Sequence, residues 1–385
     1  MIKFGTDGWR AIMCEDFTFP NVRLVVQGIC NYLKGKKLPS KIVVVGYDTR
    51  MFSDKFAKMS ARVLAANGFK AYLPEKDCPT PVTAFSIGHL KAAGALMFTA
   101  SHNPAEYNGI KFIPHNMSPA MPDVTDKIEK EIIKIAGKNK INIINFEDGL
   151  KKKKIIYFDP KPAYIRKIKS KIDTDIIKKA KLKAVYDPMY GTGRGYVESV
   201  LGDLCKIDSI NNYRDVEFGG RKPEPSGENL KDLVRAMKKD RADIGLANDG
   251  DADRFGIVDS DGTYINANFV ISILLMHLLK NKGWRGPVAR TVATTHLIDR
   301  IAEIYKIKVI ETPVGFKYIG QALREKGAIL GGEESGGLSI KGHIPEKDGV
   351  LAVSLMAEVR AFEKKTFKQI LKGIMKKTGT VYNKR

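Results

Sequence analysis

Apolar residues follow two rhythms along this chain, and the rhythms alternate. Residues 41–49, KIVVVGYDT, form a nearly continuous β-branched run, as in a strand buried on both faces. Residues 53–68, SDKFAKMSARVLAANG, then repeat apolar positions at helical spacing, with a candidate serine cap in front and Gly68 behind. AAGALMF (residues 92–98) predicts another buried strand, and GIKFIP (residues 109–114) one more. The same grammar restarts at LKAVYDPMYGTGRGYVESVLGDL (residues 182–204): strand, Asp-Pro turn, glycine-rich loop and helix. ADIGLANDGDADRFGIVDSDG (residues 242–262) reads as two strands flanking an acidic loop. A third restart has helical FVISILLMHLLKN and TTHLIDRIAEIY, followed by KGAILGGEESGG (residues 326–337) leading into a loop. Alternation of this kind predicts α/β domains with mixed, mostly parallel sheets, and three restarts predict three consecutive similar domains. The boundaries are expected at the lysine-rich stretch near residues 150–160 and at the DSDG turn, residues 259–262.

Composition narrows the class. At 385 residues the chain is too long for one ordinary core, and 43% hydrophobic with 28% charged residues is typical of soluble globular protein. Cys14, Cys30, Cys78 and Cys205 are scattered with no C-x-x-C pair, which argues against a zinc site or disulfide framework and for a reducing, cytoplasmic setting. The N-terminus lacks the apolar core of a signal peptide. The apolar run at residues 269–279 is too short to span a bilayer, so no membrane partner is expected. The net charge of +22 raises the question of nucleic acid. The longest basic run, Lys151–Lys154, lies between expected domains without aromatic interleaving. It reads as a lysine-rich surface around an enzyme for anionic substrates, with no nucleic-acid partner.

Two loops carry candidate chemistry. Asp249, Asp251 and Asp253 in NDGDADR have period-two spacing, which on an extended segment places all three carboxylates on one side. Like charges so close repel unless a cation neutralises them, and oxygen ligands suit Mg²⁺ or a similar hard ion. A calcium loop of the EF-hand type fails, because Arg254 stands where its glycine belongs and Ser260 where its closing glutamate belongs. The apolar ADIGLA feeding straight into the loop disfavours a plain solvent turn, and Arg254 is placed to hold a phosphate. The second loop is TASHNPAEYNGIKF, residues 99–112. Ser101 lacks the G-x-S-x-G elbow of hydrolases, and no P-loop occurs in the chain. GTGRG (residues 191–195) reads as a helix-entry turn. Neighbouring side chains on an extended segment point apart, so His102 reads as structural or phosphate-contacting rather than as the base of Ser101. What remains is a serine that carries phosphate, which would supply a further ligand to a triple-aspartate Mg²⁺ site.

These two loops, with FGTDGWR (residues 4–10) and GEESGG (residues 332–337), occur in an order that resembles the α-D-phosphohexomutases of the phosphoglucomutase/phosphomannomutase superfamily. TPVGFKYI (residues 312–319) and HIPEKDG (residues 343–349) add to the likeness, which runs over essentially the whole chain. The resemblance implies three α/β/α domains around a central cleft: residues 1–154 with the phosphoserine loop, 155–260 with the metal loop and 261–378 with the sugar loop. Residues 379–385 would be a linker stub, since the family has a small fourth domain whose R-x-S-G-T-type loop grips the non-reacting phosphate. Without that domain, poor turnover is expected.

The resemblance further implies a Mg²⁺-dependent mutase acting on hexose phosphates, with glucose 1,6-bisphosphate as the activator that phosphorylates Ser101. Ser101, Asp249, Asp251 and Asp253 would hold Mg²⁺. Arg10, Lys111 and Arg254 would line the transferring phosphate, and Lys111 or His102 would assist proton transfer. Glu333 and Ser335 would bind sugar hydroxyls, Gly315 would present backbone, and Lys347 would reach the substrate. Read singly, Glu333 and Ser335 equally fit a polar turn, Lys347 a solvated charge and Arg10 a domain-packing ion pair. GEESGG points to glucose or mannose phosphates. A phosphoglucosamine mutase and a non-catalytic sugar-phosphate-binding relative are the alternatives, and monomer or dimer is left open.

Overall fold

A computed structural model describes residues 2–5, 7–138 and 141–380. The first sheet contains β1 (Trp9–Ile12), β2 (Ile42–Tyr47), β3 (Lys70–Pro74), β4 (Gly94–Phe98), β5 (Tyr107–Pro114) and β6 (Ile155–Phe158), in the order β1-β5-β4-β2-β3-β6. The second contains β7 (Lys183–Asp187), β8 (Lys206–Ser209), β9 (Ile244–Asn248), β10 (Phe255–Asp259) and β11 (Tyr264–Ile265), in the order β11-β10-β9-β7-β8. The third contains β12 (Val288–Thr291), β13 (Val309–Thr312), β14 (Leu330–Glu333) and β15 (Gly337–Ile340), in the order β13-β12-β14-β15.

The three restarts of the sequence are one topology used three times. In each sheet the first of four consecutive strands lies between the second and third, parallel to both, and the fourth runs antiparallel to the third. Parallel neighbours need a crossover, which helices such as Ser53–Ala66 and Lys231–Asp240 supply, whereas the antiparallel step needs only a turn. That turn is the serine loop between β4 and β5, the aspartate loop between β9 and β10, and GEESGG between β14 and β15. The chain is thus three α/β/α repeats with mixed sheets. β4 and β9 are buried along their whole length, as their unbroken apolar runs require.

Several local expectations change. Helix Ser53–Ala66 is not capped by Ser53: its N-cap is Phe52, in the left-handed region at φ 60°. The Ser53 hydroxyl is drawn inward, donating to Asp48 Oδ1 at 2.8 Å and accepting from Asn108 Nδ2 at 3.0 Å. The lysine stretch is a turn inside the first repeat, because β6 beyond Lys154 pairs with β3. DSDG forms a hairpin turn, with Gly262 at φ 87° and β11 returning onto β10.

The chain divides into two compact units, residues 1–162 with 214–223, and residues 163–213 with 224–385. The second unit holds two sheets because helix Gly349–Glu363 serves both, packing on β9, β10 and β15. Its residues are buried almost all round, as a shared helix demands. Residues 214–223 pack with the first unit. Among the described residues no helix is long and apolar enough to cross a membrane, and the four cysteines are unpaired. Residues 381–385 of the expected linker lie outside the described residues.

Candidate active site

In the first unit, strand register assembles the serine cluster. β5 lies between β1 and β4, with Arg10 opposite Gly109 and Lys111 opposite Met97. Opposed residues share a face, as do residues two apart, so Arg10 and Lys111 stand on the same face. Asp7, absent from the expected site, joins them: its Oδ2 is 3.0 Å from Lys111 Nζ and 3.8 Å from Arg10 Nη2. Arg10 also donates to Asn103 Oδ1 at 2.8 Å, tying β1 to the serine loop. Arg10 thus pairs with Asp7, three residues away, and lies beside the serine loop.

Ser101 is 1% exposed and sits in the left-handed region at φ 52°, a conformation non-glycine residues adopt at a cost. Its N–H donates to Thr99 Oγ1 at 2.8 Å, closing a tight turn. That turn overrides the extended geometry expected from the sequence. Ser101 Oγ and His102 Nδ1 do not point apart; they lie 3.3 Å apart.

In the second unit, Asp249, Asp251 and Asp253 are fully buried and offer oxygens that all lie within 4.8 Å of one another. They converge, as expected, but by a different route. Residues 249–254 form a turn rather than an extended segment, with Ala252 at φ 54°. Burial, then repulsion from Asp251 and Asp253, pushes the Asp249 carboxyl well above the usual range. Burial disfavours charge on Arg254, but Asp253, Asp249, Glu333 and Asp251 outweigh it and hold the guanidinium above its ordinary value.

The GEESGG-loop residues, with Lys347, gather beside the same aspartates. Lys347 Nζ is 3.5 Å from Asp253 Oδ2, and its stem lies over Gly337, where a Cβ would meet Lys347 Cδ at 2.4 Å. Its ammonium stands 5.5 Å from the Phe316 ring centroid, which brings it to the residue after Gly315. Gly315 has φ 120°, which favours glycine there. Ser335 Oγ donates to Glu333 Oε1 at 2.6 Å. Burial raises the Glu333 carboxyl, opposed by Lys347, by that hydrogen bond and by Arg254. Lys347 is thus a buried cation in a charged cluster and not a solvated one.

Around the aspartate loop stands a set of supports that no local pattern announced. Thr192 N–H donates to Gly250 O at 3.0 Å, and a Cβ on Gly191 would meet that oxygen at 2.6 Å. GTGRG is therefore a cradle for the aspartate loop as well as a helix entry. Asn248 donates to Arg254 O at 2.7 Å and accepts from Tyr186 Oη at 3.0 Å. Gly349 closes the site from below, where a Cβ would lie 2.3 Å from Arg254 O, 2.4 Å from Asn248 Nδ2 and 2.8 Å from Ala252 O. Two of those atoms are backbone and cannot swing aside. Gly349→Ala is expected to destabilise the protein by about 1–3 kcal/mol. Calorimetry checks this, and an unchanged melting temperature would contradict it.

Comparison with known proteins shows the family of the chain. Family models described as "Phosphoglucomutase/phosphomannomutase, alpha/beta/alpha domain I", "domain II" and "domain III" match residues 1–138, 162–262 and 266–378. A phosphoglucomutase/phosphomannomutase of Thermococcus kodakarensis is 32% identical over 373 residues, covering 96% of this chain and 79% of that protein. A phosphoglucosamine/phosphogalactosamine mutase of Sulfurisphaera tokodaii is 31% identical, covering 94% of this chain and 77% of that protein. A crystal structure from Thermus thermophilus, of a protein assigned as a phosphomannomutase, superposes with a TM-score of 0.91 at 31% identity. It covers 99% of this chain and 84% of its own.

Proposed function

Since the chain belongs to the phosphoglucomutase/phosphomannomutase family of phosphohexomutases, we propose that it interconverts the 1- and 6-phosphates of glucose or mannose with Mg²⁺. The observation that carries this reading is the trio of buried aspartates with converging oxygens. Three carboxylates away from water are costly unless a cation neutralises them, and an all-oxygen donor set fits a hard divalent ion. Asp249, Asp251 and Asp253 would hold Mg²⁺. Bound there, the ion would neutralise charge on the transferring phosphoryl group.

The remaining steps belong to the chain's own side chains. Phosphorylated Ser101 gives its phosphoryl group to the free hydroxyl of a hexose monophosphate: the Ser101 Oγ–P bond breaks, a sugar O–P bond forms, and the hydroxyl proton passes to Ser101 Oγ. The bisphosphate then returns its other phosphoryl group to Ser101 by the reverse exchange. Lys111 and Arg10 supply positive charge, and His102, 3.3 Å from Ser101 Oγ, is a candidate to relay the proton alongside Lys111. Arg254 offers a phosphate its buried Nε, which has no hydrogen-bond partner. Glu333 and Ser335 present an acceptor pair to sugar hydroxyls, with Gly315 and Lys347 at the same site. The unpaired cysteines favour a reducing, cytoplasmic setting.

Incubation with Mg²⁺ and glucose 1,6-bisphosphate tests the proposal. Intact-mass measurement is expected to show one added phosphoryl group, and fragmentation to place it on Ser101. No labelling, or labelling elsewhere, would refute it. Assays with glucose, mannose and glucosamine 1-phosphates then rank the substrates.

A further inference from the structure

Arg50, just after β2, is 0% exposed and has no part in the roles above. Taking a guanidinium out of water costs several kcal/mol, and a well-packed apolar side chain often serves stability as well. The charge therefore needs a reason, and its hydrogen bonds point to one. Nη1 donates to Pro104 O at 2.6 Å and Tyr107 O at 3.0 Å; Nη2 donates to Asn103 O at 2.6 Å and Ser101 O at 2.7 Å. Three carbonyls of the loop and that of Tyr107, the first residue of β5, thus converge on one planar fork, a geometry that the point charge of lysine cannot reproduce. Asp48 aims the fork, with its Oδ2 3.2 Å from Arg50 Nε, and the Phe218 ring backs it at 4.9 Å. Phe218 comes from the segment 214–223 that joins the first unit.

The other repeats place a brace at the same topological position. After β7, Thr192 N–H holds Gly250 O of the aspartate loop. At the end of β12 and just beyond it, the Thr291 and Thr294 hydroxyls donate to Glu334 Oε2 at 2.7 and 3.2 Å, bracing the GEESGG loop. The reason lies in the shared topology. The first and third strands of each repeat are parallel neighbours, so their C-terminal loops lie side by side. The loop after the first strand can therefore support the one after the third.

We propose that Arg50 is the positioning residue of the Ser101 loop: its fork holds the carbonyls of Ser101, Asn103, Pro104 and Tyr107 and so keeps Ser101 in its left-handed turn, with Oγ oriented for phosphoryl transfer. This rests on the reading of Ser101 as the phosphate carrier. Arg50 touches no reacting atom in this role; it acts through the loop.

Arg50→Lys keeps the charge and loses the fork. Its Ser101 phosphorylation rate from glucose 1,6-bisphosphate with Mg²⁺ is expected to fall about 100-fold, as for a misplacement of about 1 Å. The half-saturating bisphosphate concentration should stay within about threefold, because ground-state binding is not what is lost. Amide hydrogen exchange over residues 99–107 should accelerate at least about tenfold, with helix Phe19–Lys34 unchanged. Added guanidinium ion should restore part of the rate to Arg50→Ala, which a merely structural role would not allow. Phe218→Leu retains the fork and should slow phosphorylation by about threefold, the scale of one cation–π contact.

Wild-type exchange over residues 99–107 in Arg50→Lys overturns the inference. So does a wild-type phosphorylation rate despite faster exchange. If the arginine variants do not fold, Phe218→Leu decides, and no change in either of its readouts counts against the clamp. If the wild-type protein accepts no phosphate at all, the assignment of Ser101 as carrier fails. The exchange measurement then judges the clamp by itself.

Discussion

Ser101→Ala is expected to abolish phosphoryl acceptance from glucose 1,6-bisphosphate and to reduce hexose-phosphate interconversion at least about 10⁴-fold, the scale on which loss of a covalent carrier acts. The effect is this large because no neighbour can replace the hydroxyl. His102 lies beside Ser101 Oγ but on a different stem, and Thr99 Oγ1 is occupied by the Ser101 N–H. Folding should be nearly unaffected. The turn is held by backbone bonds, including the Thr99 contact and the Arg50 bond to the Ser101 carbonyl, and alanine keeps all of them. Expected stability is within about 1.5 kcal/mol of wild type, the scale of the hydrogen bond from Oγ to His102 that is lost. Intact mass, coupled assay and thermal melting on one preparation check these points together. Turnover that survives at a tenth of the wild-type level would remove Ser101 from the carrier role.

Asp251→Asn is expected to have two effects of opposite sign. Without added metal the variant should melt at a higher temperature than wild type. In the free protein, burial and repulsion within the trio hold Asp249 well above the usual carboxyl range. An acid whose folded-state pKa is raised destabilises the fold in its charged form, and the cost grows as pH rises above the unfolded value. Asparagine removes one of the repelling charges. With Mg²⁺ the order should reverse. A ligand at about 100 times its dissociation constant adds about 2.7 kcal/mol to wild-type stability. A site with one carboxylate fewer should gain little, and activity should fall with the metal. Melting curves with Mg²⁺ and with a chelator test both signs. A variant that gains as much from Mg²⁺ as wild type would exclude Asp251 as a ligand.

How far each feature could be read in the sequence depends on the range of the interaction behind it. The β-branched run at residues 41–49 became β2, and the apolar run at residues 269–279 became part of a buried helix, because burial is recorded in every position of such segments. The candidate residues were legible for a similar reason. Asp249, Asp251 and Asp253 stand close together in the chain, and so do Ser101 and His102. Conformation within those loops was less legible. Two left-handed residues, Ser101 and Ala252, turn segments that spacing alone presents as extended. Long-range pairing was not legible either: β11 returns onto β10 after DSDG, and β6, just past the lysine stretch, pairs with β3 far back in the chain.

By itself, then, the sequence determined the α/β alternation, its threefold recurrence and the side chains fit for phosphate, metal and sugar chemistry, all of them properties of residues a few positions apart. Tertiary structure alone decided what holds those side chains in place. Arg50 grips a loop about fifty residues on, Thr192 a carbonyl in the aspartate loop, and Gly349 leaves room under Arg254. Each support depends on a backbone atom brought close by strand order. Every residue type carries the same backbone atoms, so no local pattern of side chains can mark them in advance.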